Sequence, residues 1–216
     1  MDITKLEKLQ PKVTKNGKTR SQIGRSSKTK GKTGERYFAD KLSEASGKSF
    51  IRVPNSGAFV GQSNRDRLKT LSRTQSLINL GDIICPEELK RYFIFEVKNY
   101  KSMDFHNLIN PGGSKQLLKW LDELLYDIES ATMFVKQKEV IGFLCVKITN
   151  KGNWIIGNAS NIAANWRASI PYPCVKFVHS IPDTIKNDAA HFGEKFFMCS
   201  FESFIKYNKE MFEESI

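Results

Sequence analysis

Asp82, Glu96 and Lys98 are the residues of this 216-residue chain whose types and spacing could do chemistry together. Along Phe93–Tyr100 a period of two puts Ile94, Glu96 and Lys98 on one side of a strand and Phe93, Phe95 and Val97 on the other. One face would enter a core while the opposite face carries a carboxylate beside an ammonium. Asp82 heads a second apolar run, Ile83-Ile84-Cys85, which can pair with the later strand through the turn-like Pro86-Glu87-Glu88. Paired, the strands would bring Asp82 and Glu96 near enough to share one divalent cation. Two like charges that close are costly unless a cation or a proton lies between them. Carboxylate oxygens suit Mg²⁺, which keeps several waters and also binds phosphate oxygens. Such a metal polarises a phosphodiester and lowers the pKa of a bound water. Lys98 would orient that water or offset charge growing on the phosphate. The competing reading is an exposed strand with alternating charges, and Glu88-Leu89-Lys90 is a second Glu-x-Lys nearby. That copy follows Pro86 in a turn-like context, whereas Glu96-Val97-Lys98 ends an unbroken apolar-aromatic run.

The pattern Gly81-Asp82-Ile83 followed by Glu96-Val97-Lys98-Asn99-Tyr100 resembles the PD-(D/E)xK nuclease superfamily, most closely its Holliday-junction-resolvase-like and phage-encoded endonuclease branches. The resemblance spans residues 31–125. It implies a restriction-endonuclease-like α/β core and a Mg²⁺- or Mn²⁺-dependent endonuclease acting on DNA, branched or junction DNA included. It implies metal ligands at Asp82 and Glu96, with the Val97 carbonyl as an extra ligand and Lys98 positioning the attacking water. The family's helix before the core strands carries a Glu, which Gly34-Glu35-Arg36-Tyr37-Phe38 matches with Glu35. A Gln on the helix after the core, shared by some branches, corresponds to Gln116. One departure is Gly81, which stands where the family's name-giving Pro would be. A protein encoded by a phage and working in the cytoplasm of a bacterial host is the setting this implies.

The elements that must position these residues form one domain, residues 34–216, behind a basic extension, residues 1–33. Residues 34–130 would make the catalytic core, and residues 131–216 would complete the sheet and add a C-terminal helix. The net charge is +11, and ten Lys or Arg fall within residues 1–34 against Asp2 and Glu7, so the excess is concentrated at one end. Residues 10–33 are rich in Lys, Ser, Thr and Gly; such a segment buries too little to offset its ordering entropy and is expected to be disordered when free. Arg25, Lys28, Lys30 and Lys32 there can bind phosphates without reading sequence; a solubilising extension or a localisation signal would have the same composition. A first helix is expected over Gly34–Ala45 with Phe38, Leu42 and Ala45 inward and Gly47 as its stop. Glu35 would then sit in its first turn, where the helix dipole alone favours a carboxylate.

A short strand is expected over Phe50–Val53. The polar stretch Pro54–Leu80, with part of it helical, carries Asn55, Ser56, Arg65, Arg67 and Arg73, which could lie over a nucleic acid. Lys101 follows the Glu96 strand and joins that set. Lys115–Ile128 has the clearest helical spacing, Leu117, Leu118, Leu121, Leu124, Leu125 and Ile128, and presents Gln116 and Lys119 on neighbouring positions. Val140–Ile148 is expected to be a buried strand that pairs with Asn153–Gly157 through Asn150-Lys151-Gly152. A helix over Ser160–Ala168, strands over Cys174–Val178 and Phe196–Cys199, and a closing helix over Phe201–Phe212 complete the chain.

Cys85, Cys145, Cys174 and Cys199 are widely spaced, without a C-x-x-C pair, and read as buried free thiols of a reducing compartment. His106, His179 and His191 are isolated, and His106-Asn107 has no partner His at the spacing an HNH site needs. No apolar run is long enough for a membrane helix. Two other classes stay open at this point: a DNA-binding module that keeps the fold without catalysis, and a ribonuclease. A homodimer would suit junction DNA, which needs two active sites.

Overall fold

The computed structural model describes residues 17, 19–54, 70–104, 107, 114–135, 137–159, 173–179 and 194–215. In chain order the elements are α1 (Arg20–Ser46), β1 (Ile51–Arg52), α2 (Arg73–Ile78), β2 (Ile83–Ile84) and β3 (Tyr92–Tyr100). They continue with α3 (Lys115–Phe134), β4 (Val140–Ile148), β5 (Gly152–Asn158), β6 (Cys174–His179), β7 (Glu194–Ser200) and α4 (Phe201–Asn208), followed by a 3₁₀ turn at Lys209–Phe212. The strands form one sheet in the order β1-β2-β3-β4-β5-β7-β6. β3 and β4 run parallel, and the other neighbouring pairs are antiparallel. A parallel pair needs a crossover, and α3 supplies it between β3 and β4.

Both faces of the sheet are packed, so the fold is α/β with helices on each side. On one face Phe38 and Leu42 of α1, Phe201 and Phe204 of α4 and Phe212 of the 3₁₀ turn meet Phe93, Phe95, Val97 and Phe143. On the other, Leu117, Trp120, Leu121 and Leu124 of α3 meet Ile94, Leu144, Val146 and Ile156. The alternation expected for β3 is present, but the face bearing Glu96 and Lys98 is not solvated throughout, because Ile94 is fully buried beneath α3. Glu96 and Lys98 lie where that second core gives out.

Two boundaries differ from the sequence reading. α1 begins at Arg20, well before Gly34, so residues 20–33, expected to be disordered, form its first half. Thr19 caps it: Gln22 N donates to Thr19 Oγ1 at 3.2 Å and Thr19 N donates to Gln22 Oε1 at 2.9 Å. Composition misses this because extending a helix whose later turns are already packed needs no new nucleus. At its other end Gly47 takes the left-handed conformation expected of a stop, φ 66°. α3 runs on past Ile128 to Phe134. Of the four thiols, which are all free, Cys174 is only half-buried. The expected helix over Ser160–Ala168, together with His106 and His191, lies outside the described residues.

Candidate active site

The site grows from the way β2 meets β3. β2 is two residues long and its register to β3 is Ile83↔Phe95, so β3 runs on past it with an open edge. Asp82 is pinned at that corner by its backbone: its N–H donates to Phe95 O at 2.7 Å and its carbonyl accepts from Val53 N at 2.9 Å. Its side chain then takes the place of the missing strand, with Oδ2 accepting from Val97 N at 2.8 Å. The N–H and C=O of one strand residue point to the same edge, so the Val97 carbonyl faces this corner too.

Gly81 explains the departure from Pro. Its φ is 72°, outside the range a pyrrolidine ring permits, and a Cβ there would lie 3.0 Å from Phe95 O and Ile94 Cγ2. Its N–H, which Pro lacks, donates to Asp127 Oδ2 of α3 at 3.3 Å.

On the α3 face of β3, Lys98 Nζ bridges two carboxylates, Glu96 Oε1 at 2.6 Å and Glu123 Oε2 at 2.7 Å. These side chains are only 15–23% exposed. Lys119 approaches Glu123 from the next turn at 4.0 Å. Burial, followed by the charge of Glu96, pushes the Asp82 carboxyl well above the usual range; the Val97 N–H pulls the other way and loses. Glu96 is also pushed up by burial, against the pull of Lys98. Burial lowers the Lys98 ammonium, but Glu96 and Glu123 outweigh it and raise its pKa.

Glu35 is close enough for its charge to raise both Asp82 and Glu96. It is not in a first turn, as expected, but about four turns into α1, so the helix dipole does not account for it. Instead Arg52 Nη1 of β1 donates to its Oε2 at 3.1 Å and to Val53 O at 3.0 Å. Gln116 lies half-buried in the first turn of α3, about 10 Å along the axis from Glu123. No hydrogen bond joins Gln116 to the acidic group among the described residues.

Glu123, Asp127 and Arg52 were not singled out from the sequence. The signal for Glu123 was its position seven residues after Gln116 on an amphipathic helix, which places it on the same face. Among the proposed phosphate contacts, Arg25, Lys28, Lys30 and Lys32 are exposed on α1, and Lys101 is exposed after β3. Asn55, Ser56, Arg65 and Arg67 lie outside the described residues, as does the side chain of Arg73 at the start of α2.

The donor set fits a hard divalent cation. No Lys or Arg forms an ion pair with Asp82 among the described residues, so this buried carboxylate, which feels the charge of Glu96, has no cation in direct contact. Also among the described residues, no three His, Cys, Asp or Glu side chains cluster as a metal cage. Mg²⁺ does not require one, since it is bound by one or two carboxylates plus waters and substrate phosphate. Residues 26–214 match the family model described as "Phage putative PDDEXK endonuclease". The chain belongs to this family of phage PD-(D/E)xK endonucleases. Its seven-stranded mixed sheet with flanking helices is the family's restriction-endonuclease-like architecture, and membership makes nuclease chemistry the general activity. No curated protein and no solved structure matches the chain. No described helix is long and apolar enough to cross a membrane.

Proposed function

We propose that this chain is a Mg²⁺- or Mn²⁺-dependent endonuclease that hydrolyses DNA phosphodiester bonds, with Asp82, Glu96 and the Val97 carbonyl as metal ligands. The observation that supports it most is a buried Asp82 carboxyl and a partly buried Glu96 carboxyl, both pushed above their usual range, beside a lysine held between Glu96 and Glu123. A bound divalent cation supplies Lewis-acid polarisation of the phosphate and an acidified water. Asp82, fixed by hydrogen bonds to Val53 just after β1 and to Phe95 and Val97 of β3, gives the site its rigidity. Lys98 presents its ammonium where a water attacking in line can be oriented and where charge on the phosphate can be met. Glu123 holds Lys98 there. Glu35, kept by Arg52, supports the ligand set through water, and Gln116 orients substrate from the start of α3. Arg25, Lys28, Lys30, Lys32 and Lys101, with Asn55, Ser56, Arg65, Arg67 and Arg73, contact phosphates and position the duplex without reading bases.

Branched or junction DNA is the finer form of this reading, and there two copies of the chain would each cut one strand. The test is a panel of labelled linear, flapped, single-stranded and four-way DNA substrates with Mg²⁺, comparing wild type with Lys98→Ala. Wild type should cut at least one DNA and Lys98→Ala none, while both bind it. Wild-type rates from Lys98→Ala, or cutting in EDTA, would remove the mechanism.

A further inference from the structure

The core on the α1 face of the sheet ends in a polar row. Asn99 of β3 pairs in register with Lys147 of β4, and Lys147 with Asn153 of β5, so three neighbouring strands place them side by side. One row earlier, Val97, Cys145 and Ile155 belong to the aromatic core. α1 passes over the row, and between them lies a groove of about 410 Å³ open to solvent. Its lining includes Lys30 and Thr33 of α1 and Asn150 of the β4–β5 turn, and none of the lining residues is acidic.

The donors in this groove can be accounted for individually. Asn153 Nδ2 is engaged with Tyr37 Oη at 2.9 Å and Glu202 Oε1 at 2.6 Å. Thr33 Oγ1 donates back to Thr29 O within α1. Asn99 Nδ2 uses one hydrogen on Lys30 O at 2.8 Å, which leaves its second. Lys147 Nζ lies 4.2 Å from the Tyr37 ring centre, which orients the ammonium without consuming its N–H donors. Lys30 and Asn150 are exposed. Two ammoniums and two amides therefore converge on a concave surface with no acid in its lining. The Glu202 carboxylate behind Asn153 is taken up by Asn153, Tyr37 and Ser200. This is the chemistry of a phosphodiester backbone and not of a metal or a basic peptide.

The approach to this groove is equally one-sided. Residues 20–34 carry five Lys or Arg and no acid, and residues 21–30 are exposed apart from Ser26. A helix segment polar on every side gains little from its own packing. A polyanion alongside it supplies what the fold does not.

We propose that the groove between α1 and the β4–β5 turn seats the phosphate backbone of the nucleic-acid strand, on the opposite face of β3 from Glu96 and Lys98. Asn99 and Lys98 are consecutive, so a strand crossing the C-terminal ends of β3 and β4 reaches both. This inference rests on the nuclease reading for its ligand, but it names a separate surface and separate residues.

The test is binding of the full chain in EDTA to a labelled duplex and to its single strand, by fluorescence anisotropy across a range of salt concentrations. Lys147→Gln should weaken binding several-fold. It should also reduce the slope of log affinity against log salt by about 0.9 for duplex or about 0.7 for single strand, the loss of one phosphate contact. Asn150→Asp tests the same groove without touching Tyr37. Asn150 has φ 60°, a conformation Asp also accepts, and the new carboxylate should weaken binding at an unchanged melting temperature. Wild-type affinity and slope in both variants would overturn the proposal, as would a wild-type chain that binds neither probe. The two readings separate cleanly. A lowered slope in Lys147→Gln alongside normal cutting by Glu96→Ala leaves the groove and removes the metal site; an inactive Glu96→Ala with wild-type affinity and slope in both groove variants does the reverse.

Discussion

Two carboxylate sites lie on this sheet, and the protein treats them in opposite ways. Glu202, at the start of α4, accepts from Tyr37 Oη at 2.9 Å, Asn153 Nδ2 at 2.6 Å and Ser200 Oγ at 3.0 Å. Burial alone would push it up, yet the bonds from Asn153, its own backbone N–H, Tyr37 and Ser200 win and its pKa is lowered. Asp82 has one donor to its carboxylate and feels the charge of Glu96, Glu96 has Lys98 but feels the charges of Glu123 and Glu35, and at both burial wins. A carboxylate that only holds elements together is supplied with donors by the fold. A pair left short of positive charge costs stability, and under the proposed function this is where a divalent cation would complete the structure.

The comparison can be broken most directly at the deficient site. Glu96→Ala should lower the cleavage rate by about three orders of magnitude or more, the scale set by losing preorganised charge at a reacting phosphate. Nucleic-acid binding should remain, and an equal loss of binding would make Glu96 structural instead.

Added Mg²⁺ or Mn²⁺ should raise the melting temperature of wild type. At a concentration about one hundred times the dissociation constant the gain is about 2.7 kcal/mol. Asp82→Asn should lose that response, while the metal-free variant melts about 2–4 °C above metal-free wild type, the shift of about 1 kcal/mol in a chain of this size. A lower metal-free melting temperature would show that Asp82 is already satisfied.

Glu202→Gln should do the converse, keeping cleavage and costing about 1 kcal/mol, the scale of one partly exposed hydrogen bond, in a denaturant titration.

The smallest effect is in pH. Tyr37 is pushed up to about 12, chiefly by burial and then by its bond to Glu202. Its folded pKa exceeds its unfolded one, so its contribution is complete below pH 10 and is lost as pH rises toward 12. Glu202 has the opposite sign: its contribution is present above the ordinary carboxylate pKa and is lost as pH falls through the lowered folded value. Melting curves should therefore fall off at both ends, with Tyr37→Phe flattening the alkaline limb and Glu202→Gln the acid one.

Much of this geometry was legible in the chain because it depends on short-range alternation. The period of two around Glu96 separated Phe93, Phe95 and Val97 from Ile94, Glu96 and Lys98, and the structure sends those sets to opposite faces of the sheet, with Ile94 in the second core and Glu96 and Lys98 at its edge. Strand β4 was readable to its ends from its β-branched and aromatic run. The partners of the site were not readable, because they come from long range. Glu123 reaches Lys98 from a crossover helix, and Arg52 reaches Glu35 from a two-residue strand. Neither pairing leaves a local pattern. The early start of α1 escaped for a different reason: its polar first half has the composition of a disordered tail, while its cap at Thr19 and its continuity with packed turns favour helix. Gly81 stands in the sequence as a departure from the motif, and its φ of 72° shows a corner that needs glycine.

The central claim is that Asp82 and Glu96 are short of one divalent cation and that hydrolysis depends on it. The most direct measurement is cleavage of a single labelled DNA by wild type and Glu96→Ala, each in EDTA and after Mg²⁺ is restored. Cutting by wild type only after restoration, and by Glu96→Ala in neither condition, is the expected result. Equal cutting by Glu96→Ala, or by wild type in EDTA, would contradict the account.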